Sequence, residues 1–141
     1  LRLLRQELSG RSVAVDVRDE RTHRGGVQGS TVQLQQVLAN LLLNAAEAMA
    51  EQPADRRRAT IVLRDEGPDA VRLSVADTGP GIPAGKLAEI FEPFFTTKPS
   101  GLGLGLSLSR SIIEAHAGRL YAEAPPEGGS VFHIVLPLAK P

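Results

Sequence analysis

The chain has 141 residues, 42% apolar and 23% charged, a balance that fits one globular domain and excludes wholesale disorder. Sixteen basic and sixteen acidic residues cancel, so no net field draws the chain to nucleic acid or to an anionic membrane. It holds no cysteine, which excludes disulfides, cysteine-ligated zinc, iron–sulfur clusters and a thiol nucleophile.

The elements follow in order. Residues 1–8 read as the tail of a helix. Ser12 to Arg18 alternates, with Val13, Val15 and Val17 on one face and Asp16 and Arg18 on the other, the pattern of a half-buried strand. A polar connection over 19–29 leads to Ser30 or Thr31, either able to cap a helix running to about Ala50. Residues 51–58 form a loop, and the segments Thr60–Arg64 and Ala70–Asp77 form a hairpin about Gly67-Pro68. A short helix is expected near Ala84–Phe91, then a glycine-rich loop, a helix from about Leu104 to His116, and strands at 119–123 and 131–137. Mixed helices and strands without strict alternation predict an α+β fold. The expected form is a two-layer sandwich, a mostly antiparallel sheet covered on one face by about three helices. The longest apolar stretch, Val37 to Ala50, is broken by Asn40, Asn44 and Glu47 and is too short to cross a bilayer. No signal peptide is visible, and the absence of an initiator Met points to a piece of a longer protein.

Three features exceed what a plain fold requires. At 100° per residue, Gln33, Gln36, Asn40, Asn44 and Glu47 fall within an arc of about 80°. Leu34, Val37, Leu38, Leu41, Leu42, Ala45, Ala48 and Met49 lie on one side of that ribbon and Leu43 on the other. One asparagine there would be a boundary residue. Two, one turn apart, suit a shared polar ligand, and an amide oxygen suits a hard cation such as Mg²⁺. Second, the period of two through Val71, Leu73 and Val75 puts Asp77 on the apolar face, where a charge needs a partner. Either the strand has ended and Asp77 opens a turn, or its carboxylate awaits a donor such as the exocyclic amine of adenine. The Thr78-Gly79-Pro80-Gly81-Ile82 loop that follows permits close backbone approach to such a ligand. Third, Gly101-Leu102-Gly103-Leu104-Gly105-Leu106 opens a helix, offering bare amides to phosphate, although it matches neither the P-loop nor the dinucleotide fingerprint. Three of the four phenylalanines lie between 91 and 95, a cluster suited to anchoring a mobile lid, and Lys98 follows within reach of a phosphate.

Together these segments resemble the ATP-binding catalytic domain of sensor histidine kinases, in the ATPase superfamily that includes DNA gyrase and MutL. Asn40-Leu-Leu-Leu-Asn44-Ala-Ala-Glu-Ala is similar to the family's N box and Asp77-Thr-Gly-Pro-Gly81-Ile to its G1 box. Phe91-Glu-Pro-Phe-Phe95 resembles the F box and Gly101-Leu-Gly-Leu-Gly105-Leu the G2 box, all four in the family's order. The ending from Gly129 through Leu138 resembles the family's last strand. The wording from Thr96 to Gly118 is similar to kinases of the nitrogen-regulation and dicarboxylate-sensing type.

The resemblance implies a Bergerat-type sandwich with an ATP lid, filling residues 1–141 as a single catalytic and ATP-binding domain. It implies Asn44 as the Mg²⁺ ligand, supported by Asn40, and Asp77 as acceptor for the adenine amine. Gly79, Gly81 and Ile82 would shape the adenine pocket. Phe95, Thr97, Lys98, Gly101, Leu102, Gly103, Leu104, Gly105 and Leu106 would form the lid and phosphate side. Two departures are visible: Gly29-Ser30 stands where many relatives carry Gly-Asp, and Glu47 where some carry a basic residue. The implied reaction moves the γ-phosphoryl of ATP to a histidine on a dimerisation domain of the same kinase, and then to a response regulator. The acceptor should be a helical histidine followed by an acidic residue, and His23, His116 and His133 do not fit. The chain is therefore expected to bind Mg-ATP as a cytoplasmic monomer without phosphorylating itself, its parent being a homodimer. A degenerate or phosphatase-biased kinase, an anti-sigma serine kinase and a non-enzymatic docking module are the alternatives. Residues near 96–103 are expected to be mobile.

Overall fold

The computed structural model describes residues 8–22, 25–92 and 105–139. Its strands are β1 (Ala14–Asp19), β2 (Arg58–Glu66), β3 (Ala70–Asp77), β4 (Arg119–Glu123) and β5 (Ser130–Pro137). Its α-helices are α1 (Thr31–Ala48) and α2 (Gly105–Ala115), and residues 8–10, before β1, are also helical. The five strands form one sheet in the order β1-β2-β3-β5-β4. Only the β1–β2 pair is parallel, so the sheet is mostly antiparallel, as expected.

Register fixes what each face carries. Ile61, Val75 and Phe132 lie side by side across β2, β3 and β5, and Leu63, Leu73, Ile134 and Leu120 form the next row. This face meets Val37, Leu41, Leu42, Ala45 and Met49 of α1 and its C-cap, and Ile112 and Ile113 of α2, in one apolar cluster. At about 25 cal/mol per Å² of apolar surface removed from water, this layer is the main source of stability. The opposite face carries Val62, Ser74, His133 and Tyr121 in register. Ser74 Oγ lies 2.7 Å from His133 Nδ1, and Glu123 Oε1 lies 2.5 Å from Nε2. The Tyr121 ring is tilted over the imidazole with centroids 4.9 Å apart. Burial lowers the His133 pKa from its ordinary value, against the opposing pull of the neighbouring Glu123 carboxylate.

Local chemistry explains the boundaries. Ser30 caps α1, its Oγ accepting the Gln33 N–H at 3.2 Å. Gly67, at φ 64°, makes the β2–β3 turn with a backbone conformation that side-chain-bearing residues resist. α2 ends on Ala117 at φ 61°, with the Gly118 N–H bonded to the Ile113 carbonyl at 2.9 Å. A Cβ on Gly118 would collide with the Val135 carbonyl, so no other residue fits there. Arg57 binds three carbonyls: Nε donates to Gln52 O at 2.9 Å, Nη1 to Arg11 O at 2.7 Å and Nη2 to Ala50 O at 2.8 Å. One side chain thus ties the incoming chain to the end of α1.

Two expectations are corrected. The β1 valines were expected to share a buried face; Val13 is buried just before the strand, but Val15 and Val17 are 40% and 62% exposed. β1 is an edge strand, and α1 packs over β2 and β3 instead. Alternation reports which side chains share a face, not whether anything covers it. The segment 84–91 is not one helix but two 3₁₀ turns, Ala84–Lys86 and Glu89–Phe91. A segment of two turns behind Pro83 is too short to repay helix nucleation, and tertiary burial of Ile90 and Phe91 sets its shape instead.

Candidate nucleotide site

β3 runs to Asp77 without a break, and the carboxylate is on the helix-covered face, 8% exposed. The turn alternative is thereby excluded. Oδ1 accepts the Gly79 N–H at 2.9 Å and Oδ2 accepts the Ser130 hydroxyl at 2.6 Å. An ionised carboxylate has about four acceptor positions, so these two bonds orient it and leave capacity for an amine.

Three glycines let the backbone close around it. A Cβ on Gly79 would sit 3.0 Å from Asp77 Oδ1 and 3.2 Å from the Ala48 carbonyl at the end of α1. Gly81 has φ 90°, and a Cβ there would lie 2.8 Å from the Gly129 carbonyl. Gly129, at φ 74°, has no room for a side chain against the Asp77 carbonyl. Ile82 and Leu106 are partly buried and packed against the core. Thr78 faces the other way: its Oγ1 donates to the Arg56 carbonyl and accepts the Arg58 N–H at 3.1 Å, pinning the 54–58 segment.

The polar ribbon of α1 grades from outside to inside. Gln33, Gln36 and Glu47 are exposed, whereas Asn40 and Asn44 are half-buried. Asn40 Nδ2 donates to Ser109 Oγ of α2 at 3.3 Å, and Ser109 is fully buried. Asn40 therefore has a packing role that the sequence did not reveal. Asn44 follows one turn on, toward the G1 loop that touches the end of the same helix at Ala48. Gly105 opens α2, and no other described residue comes within 4 Å of where its Cβ would be. Phe91 is buried edge-to-face on Phe132, centroids 6.1 Å apart, with the Arg110 guanidinium 5.1 Å from its ring centroid. Phe95, Thr97, Lys98, Gly101, Leu102, Gly103 and Leu104 lie outside the described residues.

Asn40 and Asn44 thus lie on α1, Gly105 and Leu106 open α2, and Asp77 ends β3 with Gly79, Gly81 and Ile82 in the loop that follows, which meets the end of α1 at Ala48. Sequence reasoning missed Ser130 and Gly129 as parts of this site. The signal available was the Gly128-Gly129-Ser130 run at the start of β5, but only the register Asp77↔Ser130 gives it meaning.

The structure thus offers a ligand a buried, oriented carboxylate at the end of β3, a polar face on α1 and a glycine that opens α2. The chain belongs to the histidine kinase-, DNA gyrase B- and HSP90-like ATPase family, whose model matches residues 29–140. Its relatives within that family are sensor histidine kinases. It is 46% identical over 113 residues to the sensor protein FixL of Bradyrhizobium diazoefficiens, spanning 80% of this chain and 22% of FixL. It is 43% identical over 115 residues to the C4-dicarboxylate transport sensor protein DctS of Rhodobacter capsulatus, spanning 82% and 17%. Among solved structures it matches the mycobacterial sensor histidine kinase MprB at TM-score 0.82 and 30% identity, covering 99% of this chain and 92% of that one. A nucleotide-free catalytic domain of the histidine kinase ThkA matches at TM-score 0.81 and 34% identity, covering 96% and 86%. Among the described residues no helix is long and apolar enough to cross a membrane.

Proposed function

We propose that the chain is the single catalytic domain of a sensor kinase, and that it binds Mg-ATP and donates the γ-phosphoryl group to a histidine on that kinase's dimerisation domain. A response-regulator aspartate then receives the group; the solved complex of ThkA with the response regulator TrrA, matched at TM-score 0.74 and 34% identity, supports that partner class. The observation that carries the reading is the buried Asp77 carboxylate, oriented by Gly79 and Ser130 at a strand end whose loop meets the end of α1 at Ala48. Asp77 accepts the adenine amine, and the amides opening α2 at Gly105 meet phosphate.

The donor set fits Mg²⁺ held mainly by the nucleotide. Among the described residues no three His, Asp or Glu side chains converge as a cage, and Mg²⁺ beside phosphates needs only one or two protein oxygens. Asn44 supplies that oxygen, and the metal when bound neutralises charge on the transferring group. Asn40 holds α1 against α2. The domain works as a cytoplasmic monomer, and its parent as a homodimer.

The test uses γ-labelled ATP with and without the helical dimerisation domain of the same kinase. Label on that domain's histidine, and none on the chain alone, is expected. A stable phosphohistidine on the chain itself, or no transfer with both parts present, would overturn the reading.

A further inference from the structure

We propose that His116 is a positioning residue for this nucleotide site, acting from its far end by fixing the register of α1 against α2. This rests on the reading of Asn44 and the α2 N-terminus as the metal and phosphate side. His116 follows α2, and its Nδ1 lies 2.8 Å from the Ile112 carbonyl. A carbonyl only accepts, so Nδ1 carries the proton and Nε2 presents a lone pair. That lone pair accepts the Ser30 backbone N–H at 3.1 Å. Ser30 is the N-cap of α1, and its amide is thereby satisfied by the other helix.

The contact is built to be specific. The imidazole occupies the space a Cβ would take on Gly29, so the ring and the glycine fit only together. The groove around it is lined by Gln28, Gly29, Ala115, Pro137, Leu138 and Ala139, with no charged side chain among them.

The geometric consequence reaches the site. Ser30 at the start of α1 meets His116 past the end of α2, and Asn40 meets Ser109. The helices are therefore antiparallel, and one more turn along each carries Asn44 to the level of Gly105. Two polar tethers hold that register. Asn40–Ser109 is a neutral pair near the site, whereas His116–Ser30 is the anchor at the opposite end. Slippage of α1 would separate Asn44 from the α2 amides while leaving Asp77, on the sheet, in place.

The test compares calorimetric affinities for Mg-ATP and for ADP in chelator, with melting temperatures, in wild type, His116→Leu, His116→Gln and Gly29→Ala. His116→Leu and Gly29→Ala are expected to weaken Mg-ATP about tenfold, the worth of one lost hydrogen bond of ordinary strength, and metal-free ADP less than about twofold. His116→Gln, whose amide oxygen still accepts from Ser30, is expected to retain Mg-ATP affinity within about threefold. Equal loss for both ligands, wild-type affinity in His116→Leu, or no rescue by Gln would overturn the proposal. Should His116→Leu not fold, the Gln and Gly29→Ala variants carry the same comparison. A wild-type chain that binds neither nucleotide would instead remove the nucleotide-site reading on which the proposal stands.

Discussion

Asp77 is a charge at the edge of an apolar layer, and its two hydrogen bonds make it tolerable there. Asp77→Asn keeps the shape but puts an amide where adenine needs an acceptor. It is expected to weaken ATP and ADP about tenfold to a hundredfold, read by calorimetry, with the melting temperature little changed. Ser130→Ala releases one carboxylate oxygen and is expected to weaken both nucleotides by a smaller factor in the same assay. His133 makes a different prediction. Burial lowers its pKa, so the unfolded chain binds that proton more readily than the folded one. Its contribution to stability is full above about pH 6.5 and is lost as the pH falls below it. Urea midpoints measured at pH 8 and pH 5.5 should drop for the wild type, and drop less for His133→Gln. An equal drop in both would remove His133 as the cause. The sequence placed Asp77 on the right face because a period of two needs only local information. It was silent on Ser130 and on the Ser30–His116 bond because those partners lie 53 and 86 residues away and only the folded register joins them.

The elements carry their own tests. Ala117 ends α2 in the left-handed region, which costs a residue with a Cβ about 1 kcal/mol. Ala117→Gly is expected to recover part of that, raising the melting temperature by a few degrees, whereas Gly118→Ala meets the Val135 carbonyl and should destabilise clearly. Arg57 is the other lever. Its fork reaches three carbonyls that a lysine ammonium cannot bridge together, so Arg57→Lys is expected to cost about 2 kcal/mol in denaturant unfolding. A loss under about 0.5 kcal/mol would show that the clamp is replaceable. Both helices, the β2–β3 hairpin and the last two strands were legible because periodicity, Ser30 as cap and Gly67 as turn agreed. β1 was legible as a strand but not as an edge, since coverage is a property of neighbours. The 84–91 segment was overread because apolar spacing over two turns does not distinguish a helix from successive 3₁₀ turns.

At the scale of the whole molecule, the sheet fixes Asp77 while α1 carries the asparagines and α2 the N-terminal amides proposed to meet phosphate. The histidines fit this division of labour. His133 is buried in β5 and His116 is held between α2 and Ser30, so neither offers a free helical imidazole to a phosphoryl group. The central claim is that the proposed site at Asp77 and Asn44 binds Mg-ATP with separable adenine and metal ends. Calorimetric titration of ATP and ADP, with and without Mg²⁺, into wild type, Asp77→Ala and Asn44→Ala tests it most directly. The account predicts saturable binding to the wild type, weakened for both nucleotides by Asp77→Ala and stripped of its Mg²⁺ dependence by Asn44→Ala. A folded wild-type chain that binds neither nucleotide, or an Asn44→Ala variant with unchanged Mg²⁺ dependence, would contradict it.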